Sequence, residues 1–170
     1  MKGVDVIVVL DVADREPGSW TLRGLAVDLE LPLAAVKRSL DRLAETTVFD
    51  ASSRRVNRSE MERLLVDAVR FMFPARLGAR TRGVPTAWGT TPLAGELAAG
   101  DEIPVWPSPT GTVRGAAVEP LHGAAIGLAA TNPRLYEQLT LVDGLRLGDA
   151  RARGVAAELL RSRIHEPQPA

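Results

Sequence analysis

The sequence predicts a mainly α-helical fold carrying one small β-hairpin, and three observations support that expectation. Apolar residues recur at helical spacing through residues 21–43. Two short stretches, residues 48–50 and 54–56, flank the small residues Ala51, Ser52 and Ser53, the pattern of a tight hairpin. Composition then changes at Phe73 and Pro74, beyond which Gly78, Gly83, Pro85, Pro92, Pro104, Pro107, Pro109 and Pro120 interrupt any helical pattern. The expected organisation is an N-terminal domain over residues 1–74 and a C-terminal region over residues 75–170, the latter an extended segment followed by a helical pair.

A chain of 170 residues with 45% apolar content is able to bury a core. Its longest unbroken apolar run, residues 6–10, is far short of the roughly 20 residues that span a bilayer, and no leader pattern opens it. The expected location is the cytoplasm. Absence of cysteine excludes disulfides, thiolate metal ligands and a cysteine nucleophile. The 21 basic and 21 acidic side chains balance overall but not locally. Residues 33–82 carry 11 basic against 6 acidic side chains, and residues 83–170 carry 7 against 9, so one end of the molecule is the better suited to face phosphates.

The elements follow in order. Residues 4–13 contain Val-Ile-Val-Val-Leu, a strand-prone run, but Asp5, Asp11 and Asp14 around it fit three helical turns, and the helical context selects helix. Pro17 and Gly18 form a turn, Trp20 a single strand residue, and Thr21 the cap of a helix with Leu22, Leu25, Ala26 and Leu29 on one face. In the next helix, at 100° per residue, Leu33, Val36, Leu40 and Leu43 fall inward. Ala34, Arg38, Arg42 and Glu45 fall outward, flanked by Lys37 and Asp41. After the hairpin, Asn57 and Glu60 read as a capping box, opening a helix whose inward stripe is Met61, Leu64, Leu65, Ala68 and Met72.

Small Ala26 at a close helix crossing, apolar residues at the turn, a second amphipathic helix, a hairpin and a closing helix together resemble the winged helix-turn-helix transcriptional regulators of the broad MarR-like kind, over about residues 2–73. The chain departs from that pattern at two positions. Glu30 stands where a left-handed glycine is usual, a conformation costing a residue with a Cβ roughly 1 kcal/mol. Pro32 stands where a serine or threonine usually caps the second helix. The resemblance implies a dimeric repressor on double-stranded DNA. It places Ala34, Ala35, Lys37, Arg38 and Arg42 in the major groove, with Arg38 the leading base contact, and Ser52, Ser53, Arg54, Arg55 and Arg58 along the sugar-phosphate backbone. The competing class is a protein-interaction module, antitoxin-like or an adaptor subunit, using the same domain as scaffold.

In the second half, Trp88 and Trp106 are expected to pin a proline-rich extended segment to the helical body, though the composition also suits an arm wrapping a partner subunit. His122 and Glu119 lie close in sequence, but the only other histidine, His165, is far away and no nucleophile or phosphate loop accompanies them. No catalytic residue, metal or cofactor is therefore expected. Residues 133–146 and 149–164 read as helices, and Leu159, Leu160 and Ile164 exceed what one face buries, which suggests a homodimer surface. Residues 166–170 read as a frayed tail.

Overall fold

In the computed structural model, which describes residues 1–96 and 102–166, helix α1 (Gly3–Ala13) runs through the interior with each of residues 4–13 buried. Burial on every side explains how a run of β-branched residues becomes a helix: tertiary packing outweighs the propensity difference of a few tenths of a kcal/mol per residue. The fold around it is mainly helical with two small sheets. Of the expected tail, residues 167–170 lie outside the described residues.

Helix α2 (Leu22–Asp28) opens where the Thr21 hydroxyl accepts from the Gly24 amide at 2.9 Å. Glu30 follows with a left-handed φ of 53°, and the turn delivers the chain to α3 (Leu33–Ala44). Pro32 occupies the N-cap position of α3 without a side-chain cap, its carbonyl accepting from Ala35 and Val36. The buried stripe of α3 is Val36, Ser39 and Leu43, with Leu40 half-buried and Leu33 46% exposed. This corrects the expected inward face. The helix is turned so that Ser39 and Arg42 meet the buried Asp5 of α1, a polar demand that hydrophobic periodicity alone does not register.

Strands β1 (Phe49–Asp50) and β2 (Arg55–Val56) pair antiparallel, Phe49 opposite Val56. Asn57 then caps α4 (Arg58–Arg63), its side chain accepting from the Glu60 amide at 3.2 Å; the Glu60 carboxylate lies near Thr47 instead of completing a box. A π-helical turn, Leu64–Ala68, links α4 to α5 (Val69–Met72). The wider turn advances the buried stripe to Met61, Leu65 and Val69, leaving Met72 41% and Phe71 70% exposed, against the expected inward Ala68 and Met72.

Residues 80–117, expected as loop or extended chain, instead close a three-stranded barrel. β3 (Arg80–Pro85) pairs antiparallel with both β4 (Pro104–Pro107) and β5 (Val113–Ala117), and β4 pairs parallel with β5. Pro85, Pro104 and Pro107 sit at strand ends, where no ladder donor is needed. Closure brings backbones into contact: a Cβ on Gly115 would lie 1.9 Å from the Ile103 carbonyl oxygen. A short α6 (Leu93–Glu96) follows β3 in sequence and buries Leu93.

Helix α7 (Ala124–Thr131) was not expected, because Ala-Ala-Ile-Gly-Leu-Ala-Ala-Thr offers no polar face to mark a period. Helices α8 (Pro133–Leu147) and α9 (Ala150–His165) match the expected pair, opened by Asn132 and Asp149 caps. They differ from expectation in what they cover. Residues 138–145 of α8 are all buried, and Leu160 and Ile164 of α9 are buried too, all within the chain. The proline-rich segment likewise packs on its own chain through Trp106, which is 1% exposed.

One buried network ties these parts together. The Asp143 carboxylate on α8 accepts from the Trp106 indole of β4 at 2.7 Å, the Thr86 hydroxyl at 2.7 Å and Arg146 at 2.5 Å. Arg146 also donates to the Phe73 carbonyl at 2.8 Å and to that of Glu119 at 3.3 Å. Helix, barrel and the end of α5 thus share one ion pair. Asp143→Ala would strand the Arg146 guanidinium in the interior, and urea unfolding is expected to show a loss of about 3–5 kcal/mol; an unchanged midpoint would mean the network does not hold the barrel.

Candidate nucleic-acid interface

Rotation of α3 about its buried stripe leaves Ala34, Lys37, Arg38, Asp41 and Glu45 as an exposed ridge. Lys37 pairs along the helix with Asp41 at 2.9 Å, both largely in solvent. Arg38 and Arg55 have no acidic partner among the described residues. Ala35 is half-buried at the side of the ridge.

Three of the expected contact arginines are committed elsewhere. Arg42 donates Nε and Nη2 to the two oxygens of Asp5, at 3.0 and 2.5 Å, while Ser39 donates its hydroxyl to the same carboxylate at 2.7 Å and the Lys2 amide at 2.6 Å. A carboxylate in a helix without a solvent face requires such partners. Arg54, in a left-handed conformation at the hairpin, lays its guanidinium 3.9 Å from the centre of the Trp20 ring and donates to the Trp20 carbonyl. Arg58 donates to the Ala13 carbonyl at 2.7 Å and to that of Ile164, closing the C-terminal ends of α1 and α9. All three guanidiniums thus serve as internal supports and do not stand free on the surface.

The hairpin serines, though exposed, are engaged within the hairpin. Ser52 and Ser53 donate their hydroxyls to Asp50 at 2.7 and 2.6 Å, and the Ser52 amide donates at 2.8 Å. These bonds, the Ser52 hydroxyl foremost, hold the Asp50 carboxyl well below the usual carboxylate range. The hairpin tip therefore presents a negative charge, which opposes phosphate, and of its expected backbone contacts Arg55 is the one left exposed and free of internal bonds among the described residues.

A cavity lies on each flank of the α3 ridge. On the hairpin side, about 270 Å³ is bounded mainly by Trp20, Leu22, Leu40 and Phe49. On the opposite side, about 390 Å³ is bounded by Lys2, Arg38, Arg42, Leu121 and His122 among others, with no carboxylate in the lining. Lys2 and His122 were not expected here. They lie far from α3 in sequence, and no spacing along the chain connects them to it.

Trp88 and Trp106 anchor the proline-rich segment as expected, the Trp88 indole donating to the Glu102 carbonyl at 3.1 Å. His122 and Glu119 do not pair: His122 accepts the Ala124 amide on Nδ1 at 3.2 Å, and Glu119 lends its carbonyl to Arg146. Among the described residues no helix is long and apolar enough to cross a membrane. No protein-family model, curated protein or solved structure matches the chain.

Burial acts to raise the Asp5 pKa, but the hydrogen bonds from Arg42, Ser39 and the Lys2 amide, with the Arg42 charge, outweigh it and leave the group below its ordinary 3.8. The folded chain then binds fewer protons at Asp5 than the unfolded one. Its contribution is complete above the unfolded value and disappears as pH falls through the folded value. Melting temperature is expected to drop below about pH 4 more steeply in the native chain than in Asp5→Asn; parallel acid profiles would remove the ionised Asp5 from this account. Arg42→Ala is expected to lower stability by about 1–3 kcal/mol in urea unfolding.

Proposed function

We propose that the chain is a sequence-specific DNA-binding transcriptional regulator, a homodimeric repressor acting on double-stranded DNA in the cytoplasm, with a winged helix-turn-helix in residues 1–74. The observation that carries this reading is Arg38. It stands exposed on the ridge of α3, beside the small Ala34, with no acidic partner among the described residues. A helix that enters the major groove needs a long donor able to meet a guanine edge and a small neighbour that lets the backbone approach. Lys37 lies beside it, exposed but paired with Asp41, and Arg55 reaches the same partner from the hairpin. Arg42, Arg54 and Arg58 brace these groups without touching DNA. The dimer draws on the exposed Phe71, Met72 and Leu77, since the apolar faces of α8 and α9 are covered within the chain.

A second reading, a protein-interaction module, is favoured by Val27 and Leu33, which are 70% and 46% exposed on either side of the turn between α2 and α3. The two readings respond differently to salt, because displacing counterions from phosphates makes duplex affinity fall steeply as salt rises, whereas an apolar contact is nearly indifferent.

The test is fluorescence anisotropy with labelled duplexes, comparing the gene's own upstream region with random sequence at two salt concentrations. The regulator reading expects tighter binding to the upstream region, weakened by salt, and a loss of about 1–3 kcal/mol in discrimination for Arg38→Ala. Absence of binding to either duplex at low salt would favour the protein-interaction module.

A further inference from the structure

We propose that the cavity between the start of α1, the flank of α3 and residues 121–122 binds a phosphate group of the duplex backbone, with Lys2 and His122 as its donors and Arg42 as a fixed charge behind them. This rests on the DNA reading for the source of the phosphate, but not for the chemistry of the site.

The cavity holds about 390 Å³, and its polar lining comes from three separate parts of the chain: Lys2 before α1, Arg38 and Arg42 on α3, and His122 before α7. No carboxylate lines it. Asp5, the acid held by Arg42, has its two oxygens fully engaged by Arg42, Ser39 and the Lys2 amide. Lys2 and Arg38 have no acidic side-chain partner among the described residues. Arg42 spends Nε and Nη2 on Asp5, leaving Nη1 without a bond in the structure.

His122 is oriented as a donor. Its Nδ1 accepts the Ala124 amide at 3.2 Å, so the neutral ring carries its proton on Nε2 and donates from there. Gly3 fixes how near that ring comes to α1. A Cβ at position 3 would lie 1.9 Å from the Leu121 carbonyl oxygen, so only glycine lets residues 121–122 seat against the helix.

A lining with N–H donors on several different elements suits a compact anion with several oxygens better than a planar carboxylate. The location points to the duplex backbone as the source. With the α3 ridge in the major groove, the phosphate rows run along its flanks. The flank next to the hairpin is lined mainly by apolar side chains, and its two cations are engaged, Lys37 by Asp41 and Arg54 by Trp20, so the flank with the unpaired Lys2 is the better suited to take a further phosphate.

The experiment compares the full chain with the double variant Lys2→Ala, His122→Ala and with Arg38→Ala, measuring duplex affinity against salt. Loss of one phosphate contact is expected to flatten the slope of log K against log salt by about 0.9. The double variant should also weaken upstream and random duplexes by the same factor. If the double variant fails to fold by circular dichroism, Lys2→Gln, at an exposed position, replaces it. Unchanged affinity and slope, with Arg38→Ala still impairing binding, would overturn the cavity while leaving the DNA reading standing. If the native chain binds no duplex, the DNA reading falls and inorganic phosphate alone decides. A saturable shift of the His122 imidazole resonance, assigned with a His165→Gln variant and lost in Lys2→Ala, would establish a site for a free phosphate compound; no shift would overturn the site.

Discussion

Helix α1 has no face toward water, and much of the remaining architecture follows from that constraint. A helix enclosed on all sides must settle each polar group it carries, since an unpaired buried carboxylate is too costly to leave. Asp5 is settled by α3 through Ser39 and Arg42, and Asp11 by Arg15 at 2.7 Å. Just past the helix, Asp14 accepts from Arg134 of α8 at 2.6 Å. These pairs fix α1 against α3 at one end and against α8 at the other, so the rotation of α3, and hence which of its side chains reach solvent, is decided from inside the molecule.

The same reasoning separates what was legible in the sequence from what was not. Helices α2 and α3, the hairpin and the last two helices follow from apolar spacing and from the Thr21 and Asn57 caps, which are local signals, whereas α1, strand-prone in itself, was selected as helix by that context. The barrel is not local. Its strands are short, two of them end in proline, and they are joined in part through a parallel pairing of β4 with β5, so nothing within one strand announces its neighbours. Helix α7 lacks a polar face and therefore lacks a period.

At the candidate interface, Arg38 and Ala34 were legible because an exposed position depends only on the phase of one helix. The internal partners of Arg42, Arg54 and Arg58 were not legible, for a shared reason. An arginine on an outward arc of a helix or in a hairpin looks free until its long side chain finds a buried carboxylate, an aromatic face or a pair of carbonyls, and those partners lie 34 to 106 residues away. Lys2 and His122 reach α3 only through the tertiary fold, so no spacing in the sequence connects them.

Arg58 has a consequence of its own. One planar guanidinium closes the ends of two helices that are 151 residues apart in the chain, at Ala13 and Ile164, from a position at the base of the hairpin. Lysine could not replace it, because a single ammonium on a flexible stem lacks the rigid fork that spans two carbonyl oxygens at fixed separation. The hairpin, the central helix and the last helix consequently meet at one side chain. Any partner that displaced the end of α9 would release a hydrogen bond at the root of the hairpin, so the two extremities of the fold are mechanically one joint.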